Sequence, residues 1–256
     1  MNESSGFLAL ALEVAKDAGA FLQNRPDGFT IETKSTAIDI ATQMDRDAEE
    51  MIVSKILAAR SDDGIIGEEG ATRPSTSGLT WVIDPLDGTV NYLYGLPGWC
   101  VSIACKDSTG TVVGVVYAPT LEGSTWWAVR GGGAFRNGDR IRVGSESELD
   151  RALIGTGFAY SLEVRKEQVR VINDLLPQCR DIRRLGAAAV DLCHVASGML
   201  DAYFEVGLKE WDKAAGALII EEAGGLVTGG ESESSRLVAA NPALHQRLTG
   251  FLSAYR

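Results

Sequence analysis

The sequence predicts a chain of mixed α+β and α/β class, with an antiparallel sheet in its first part and a mixed, mostly parallel sheet in its second. Three observations carry that expectation. Between Leu79 and Val143, strand-like apolar runs follow one another with only turn signals between them, as in an antiparallel meander. From Ala152 onward strand-like and helix-like runs alternate, which requires crossover connections and a largely parallel sheet. The polar stretch "GSESELD", Gly144 to Asp150, separates the two patterns. It divides one compact unit into an N-terminal half, 1–145, and a C-terminal half, 146–256.

Gly6 to Gln23 carries apolar residues at helical spacing behind Ser4 and Ser5, and reads as an amphipathic helix. "FTIETK" alternates like a strand. A second helix is expected over Asp45 to Arg60, ending before the turn "SDDG", and "GIIGEEG" is a short strand that ends in Glu68 and Glu69. After the surface loop "ATRPSTSG", strands are expected at Leu79–Asp84, Trp99–Lys106 and Thr111–Tyr117. "RGGGAFRNGDRIRV" has the glycines of a phosphate loop but not its Gly-Lys-Ser/Thr ending. Its Asn137-Gly138 pair signals a hairpin. In the second half, strands at Ala152–Thr156, Asp181–Arg184 and Ala202–Glu205 alternate with helices at Leu162–Leu176, Ala187–Ser197 and from Asp212.

With 256 residues and 45% hydrophobic content, the chain can bury a large core. A net charge of -11 argues against sequence-independent binding to nucleic acid or anionic membrane, so a small-molecule partner is expected. Apolar runs such as "AAGALII" are far shorter than the roughly 20 residues of a membrane span, and "MNESSGF" lacks a basic start, so a cytoplasmic protein is expected. Cys100, Cys105, Cys179 and Cys193 form no CxxC pair and read as reduced core thiols. His194 and His245 are the only histidines. His194 lies in an apolar helical stretch and reads as structural, which leaves little room for a Ser/His/Asp apparatus.

Acidic residues fall at the ends of elements: Asp45, Glu68 and Glu69, Asp84 and Asp87, Asp212. Singly, Asp45 and Asp212 are what N-caps look like, and loop carboxylates are usually just solvated. "IDPLDGT" is different, because Asp84 follows the apolar "WVI" and Pro85 stiffens the chain beyond it, which leaves the carboxylates semi-buried. Clustered carboxylates repel unless cations keep them ionised. Oxygen ligands and scarce histidine favour a hard ion such as Mg²⁺ over zinc. Gly88 and Thr89 then offer backbone amides to an anion, and metals beside an anion site point to phosphoryl chemistry.

Together "GEEG", "WVIDPLDGTVNYLYGLP" and "EWDKAAGALIIEEAGG" resemble the motifs of the inositol monophosphatase family of magnesium-dependent, lithium-sensitive phosphatases. "KSTAIDIATQMDRDAEE" and "RLGAAAVDLCHVASGMLDAYFEVGL" extend the resemblance over the whole chain. It implies a layered α-β-α-β-α sandwich, two or three Mg²⁺ per subunit and a homodimer. Glu68, Asp84 and the Leu86 carbonyl would hold one metal, and Asp84, Asp87 and Asp212 a second, with Glu68 also serving a third. Asp45 and Thr89, counted with Glu68 as catalytic, would orient and deprotonate the nucleophilic water. The Gly88 and Thr89 amides would hold phosphate, and Ala188 and Glu205 the sugar. Glu69 and Lys34 would stand just behind these groups.

Ala187, Lys209 and Ala159 replace residues common in the family, and this bears on the identity of the alcohol. The implied activity is hydrolysis of a small phosphorylated polyol, myo-inositol 1-phosphate, by metal-activated water. The alternatives are histidinol phosphate, fructose 1,6-bisphosphate or a phosphoadenosine nucleotide as substrate, or a non-catalytic regulatory binding protein.

Overall fold

The computed structural model describes residues 3–26, 28–33, 40–232 and 234–255. Helix α1 (Glu3–Gln23) turns Phe7, Ala11, Val14, Ala18 and Leu22, three or four residues apart, into one buried stripe. Strands β1 (Ile31–Thr33) and β2 (Ile40–Thr42) pair antiparallel and lead into α2 (Gln43–Ala59), which buries Ala48, Ile52 and Ile56. The first large sheet comprises β3 (Gly64–Gly67), β4 (Thr72–Arg73), β5 (Thr80–Asp87), β6 (Cys100–Asp107), β7 (Gly110–Ala118), β8 (Ser124–Val129), β9 (Gly133–Arg136) and β10 (Asp139–Arg140). Short helix α3 (Thr89–Leu93) follows β5 directly. The spatial order is β10-β9-β8-β7-β6-β5-β3-β4, antiparallel throughout except for β3 beside β5.

The glycine-rich stretch is the expected hairpin: Asn137 and Gly138 join β9 to β10 with φ of 51° and 93°, the left-handed pair that a tight turn with matching twist needs.

The second sheet takes β11 (Leu153–Thr156), β12 (Asp181–Arg183), β13 (Ala202–Val206), β14 (Leu226–Thr228) and β15 (Arg236–Ala240) in the order β12-β11-β13-β15-β14. It is mixed: β11 runs parallel to β12 and β13, while β15 is antiparallel to β13 and β14. Between these strands run α4 (Leu162–Leu175), α5 (Ala188–Ala196) and α6 (Glu210–Glu222), and α7 (Pro242–Leu252) closes the chain.

Three buried cores stack in sequence, giving the α-β-α-β-α layering. The first lies between α1, α2 and the large sheet, the second between that sheet and α5 and α6, and the third between the small sheet and α4 and α7. Strand alternation writes this directly: Trp81 and Ile83 of β5 face the first core, while Val82 faces the second. Asp84 shares Val82's parity and so points toward α6. Close approach of α6 to the sheet needs Gly114 on β7, where a Cβ would stand 2.8 Å from the Ala215 carbonyl oxygen.

Of the four cysteines, three are buried and Cys179 is half-buried, all as free thiols. His194 packs edge-on to Trp126 at 5.9 Å, as a structural histidine does. No helix among the described residues is long and apolar enough to cross a membrane.

Candidate active site

The acidic residues gather where β5 ends. Asp84 is almost fully buried, and its Oδ1 accepts from the Leu86 N–H at 3.0 Å, a local turn that fixes the carboxylate beyond the strand. Gly88 (φ 90°) then reverses the chain into α3. A Cβ there would be 3.2 Å from Ala187 Cβ and from Trp99 Cα, so the left-handed angle and the close approach both require glycine.

Asp87 Oδ2 accepts from the Ala189 N–H at 2.7 Å, which joins β5 to the first turn of α5. Glu68 stands in the turn just after β3, its N–H donating to the Ile83 carbonyl at 3.2 Å.

Asp45 and Asp212 are not N-caps. Helix α2 begins at Gln43 and α6 at Glu210, two residues before each aspartate, so each carboxylate occupies the third helical position and reaches back. Asp45 Oδ2 accepts from the Thr42 N–H at 2.8 Å and from the Thr42 hydroxyl at 2.5 Å, and Asp212 Oδ2 accepts from the Lys209 N–H at 2.6 Å. That arrangement leaves Asp45 Oδ1 for the Thr89 hydroxyl, which donates to it at 3.0 Å and lies 3.2 Å from the Leu86 carbonyl oxygen. Asp45 itself is buried behind Thr89.

These groups border a cavity of about 500 Å³. Glu68, Asp84, Asp87, Thr89 and Asp212 line it, together with Glu205 of β13, Arg184, Ala188 and Lys209. Glu205 accepts a hydrogen bond from the Tyr203 hydroxyl. Glu69 and Asp45 stand outside the lining, and Lys34 lies outside the described residues.

Burial pushes the Asp84 carboxyl well above the usual range, and the neighbouring carboxylates of Glu68, Asp87 and Asp212 add to it. Asp212 is raised in the same way by burial, Glu68 and Asp87. Asp87 is raised to about 7 by burial, partly offset by the Ala189 N–H, and Asp45 to about 6 by burial against its Thr42 hydrogen bonds. Burial also raises Glu205, with Tyr203 and Arg184 opposing.

Among the described residues no group of three or more Asp, Glu, His or Cys side chains already stands in a metal-holding arrangement. Asp84 and Glu68 are hydrogen-bonded to each other, and Asp84, Asp87 and Asp212 each turn one oxygen to a backbone N–H. The donor set still fits hard divalent cations: it is all oxygen, and the groups acting most strongly on Asp84, Asp87 and Asp212 are other carboxylates and backbone amides.

The sequence reading missed four groups. Glu49, buried on α2 one turn after Asp45, accepts from the Glu69 and Ala71 N–H groups at 2.9 and 2.8 Å and so shapes the "GEEG" turn. Its signal was the i, i+4 spacing from Asp45 on one helix face. Asp191, Tyr203 and Arg184 enter the cavity from α5, β13 and the segment after β12. Asp191 had a sequence signal, a lone charge in the apolar run "AAAVDLC", and Tyr203 stands two residues before Glu205 on the same strand, while Arg184 had none.

The chain matches the model of the inositol monophosphatase family over residues 3–255. A Pasteurella multocida protein named Nus factor SuhB is 44% identical to it over 245 residues, spanning 92% of this chain and 91% of that one. An inositol-1-monophosphatase SuhB of Mycobacterium tuberculosis is 39% identical over 247 residues, spanning 88% and 84%. Among solved structures, the extragenic suppressor protein suhB of Bartonella henselae superposes with a TM-score of 0.90 at 33% identity over 96% of this chain and 98% of that one. Mycobacterium tuberculosis SuhB does so with 0.84 at 36% identity, over 99% and 98%.

Proposed function

The chain belongs to the inositol monophosphatase family, and from that premise we propose that it is a magnesium-dependent phosphomonoesterase acting on myo-inositol 1-phosphate. One observation carries the reading. Asp84, Asp87 and Asp212 line one cavity together with Thr89 and Glu205, and Glu205 lies close enough to act on the charge of both Asp87 and Asp212. Glu68, Asp84 and the Leu86 carbonyl, and Asp84, Asp87 and Asp212, are the residues that would hold Mg²⁺. When bound, the metal supplies positive charge to the phosphoryl oxygens and acidifies water.

The chain's own groups do the rest. The Gly88 and Thr89 amides hold the phosphate, and Thr89 Oγ1 takes a proton from the attacking water while passing its own to Asp45 Oδ1. Burial holds Asp45 near neutrality, where a carboxylate suits that task. Water oxygen bonds to phosphorus, the ester P–O bond breaks with its electron pair going to the leaving oxygen, and that alkoxide takes a proton from solvent to depart as the alcohol on the Glu205 side. Glu205 accepts hydrogen bonds from the polyol hydroxyls, and the Ala188 backbone is the neighbouring contact to the alcohol.

The test is a panel of phosphomonoesters with purified protein: myo-inositol 1-phosphate, histidinol phosphate, fructose 1,6-bisphosphate and a phosphoadenosine nucleotide. The highest kcat/KM should fall on the inositol ester, with Mg²⁺ required and lithium inhibitory. Undiminished turnover in excess chelator would sink the metal assignment, and preference for another ester would replace inositol.

A binding role beside hydrolysis is the second reading, favoured by the name Nus factor on the 44% identical relative. A hydrolytically dead variant that preserves growth where gene deletion does not would support it. The proposal extends to a cytoplasmic homodimer, and a monomeric mass in sedimentation equilibrium would remove that part.

A further inference from the structure

The alcohol end contains a group that the mechanism above leaves unused. Asp191, in the first turn of α5, is 1% exposed and lines the cavity, yet its Oδ1 has no hydrogen-bond partner among the described residues. Buried carboxylate oxygens are almost always bonded, because nothing replaces the water they have lost. The oxygen lies beside β11: a Cβ on Gly155 would come 3.6 Å from it, after meeting Leu200 and Tyr203 at 2.8 and 3.0 Å, so glycine there lets these side chains and Asp191 pack against the strand. Burial pushes the Asp191 carboxyl well above the usual range, with Asp87 and Glu205 adding to it and Arg184 opposing, so a ligand hydroxyl that donates to Oδ1 would favour the ionised form that burial disfavours.

We propose that Asp191 determines specificity for the leaving alcohol, its free Oδ1 accepting a hydrogen bond from a hydroxyl other than those read by Glu205. This rests on the phosphatase reading, and it deepens it: the alcohol is gripped by carboxylates on two sides, which suits a ring bearing hydroxyls around its edge better than a chain with one polar end.

The experiment compares wild type with Asp191→Asn on myo-inositol 1-phosphate, on its monodeoxy analogues and on p-nitrophenyl phosphate, with melting temperature measured alongside. The Asn variant should lose about 10-fold to 100-fold in kcat/KM on the inositol ester, the range for losing a charge-assisted hydrogen bond, and stay within about twofold on the aryl ester. One monodeoxy analogue, already poor for wild type, should be cleaved equally well by both proteins, and a different analogue should be the one insensitive to Glu205→Gln. Asp191→Ser should repeat the pattern if the Asn variant folds poorly.

Equal losses on all substrates would make Asp191 structural. An unaffected inositol ester would mean that a resident water satisfies it. The same insensitive analogue for both residues would mean that Asp191 acts only through Glu205. Each of these overturns the proposal. Wild-type protein that cleaves no phosphomonoester would instead fell the phosphatase reading itself.

Discussion

The carboxylates proposed to hold metal, here the acidic end, and those proposed to read the alcohol, here the alcohol end, are held in place by different means. At the acidic end, Asp84, Asp87 and Asp212 each give one oxygen to a backbone N–H, of Leu86, Ala189 and Lys209. At the alcohol end Glu205 leans on a side chain, the Tyr203 hydroxyl, and Asp191 Oδ1 on nothing. A carboxylate tied to the main chain is placed by the local fold and stays there whichever ester arrives. One held by side chains can be retuned without disturbing the fold. Changes at the acidic end should therefore alter the rate for every substrate, and changes at the alcohol end should alter which substrate is preferred.

The largest effect is expected from Asp84→Asn. It removes the charge of the side chain placed between Glu68, Asp87 and Asp212 while keeping its shape. Activity should fall by ~10²-fold or more on inositol and aryl phosphates alike, the scale of losing one strong electrostatic contact at a transition state. Near-normal turnover with intact Mg²⁺ affinity by titration calorimetry would break the contrast by showing Asp84 to be structural.

Glu205→Gln should split the substrates instead. The glutamine keeps the size and loses the charge-assisted acceptor, so kcat/KM on inositol 1-phosphate should drop about 10-fold to 100-fold with little change on an aryl phosphate. Equal losses would assign Glu205 to the fold, and no loss on either would move the alcohol elsewhere in the cavity.

The same contrast decides what could be read in the sequence. "IDPLDGT" compresses strand, turn and helix start into seven residues, so local geometry alone brought Asp84, Asp87, Gly88 and Thr89 to one place. Asp45 and Asp212 were legible as residues at helix starts but not as third-position carboxylates, because a side chain that reaches back to the cap has the same sequence signature as the cap itself. Arg184 was out of reach, since its meeting with Glu205 depends on how β11, β12 and β13 order themselves in the sheet, whereas Tyr203 shares a strand face with Glu205 two residues on and was legible once β13 was read as a strand. Strand β8, "STWWAV", went unread because it is buried on both faces and lacks the alternation of a half-exposed strand.

Gly114→Ala tests whether the acidic end depends on the spacing between sheet and helix as well as on its ligands. The new methyl would press on Ala215 of α6, three residues from Asp212. Overpacking of this kind costs about 1–3 kcal/mol, to be read from urea unfolding. Because α6 must yield, Mg²⁺ affinity should weaken while the ratio of inositol to aryl turnover at saturating metal stays unchanged. A shift in that ratio would mean that the two ends are not independent.

The smallest effect concerns α5, which serves both ends, through the Ala189 N–H on Asp87 and through Asp191 in the cavity. Its last turn is anchored by His194 against Trp126, and burial, with Arg136 nearby, holds that imidazole down to about 4. The unfolded chain takes up the proton near 6.5, so between 6.5 and 4 the unfolded state binds more protons than the native one. Stability from the neutral ring is therefore present above pH 6.5 and is lost as pH falls toward 4. Between pH 7.5 and 6 the loss should be about 1 kcal/mol. Asp45 and Asp87, raised rather than lowered, titrate with the opposite sign in the same region. The readout is therefore the difference in unfolding free energy between wild type and His194→Gln, in which those shared terms cancel. That difference should shrink as the pH drops. A difference that stays flat from pH 7.5 to 5 would show that His194 is protonated as easily in the native protein as in the unfolded chain, and that α5 is held at its far end by apolar contacts alone.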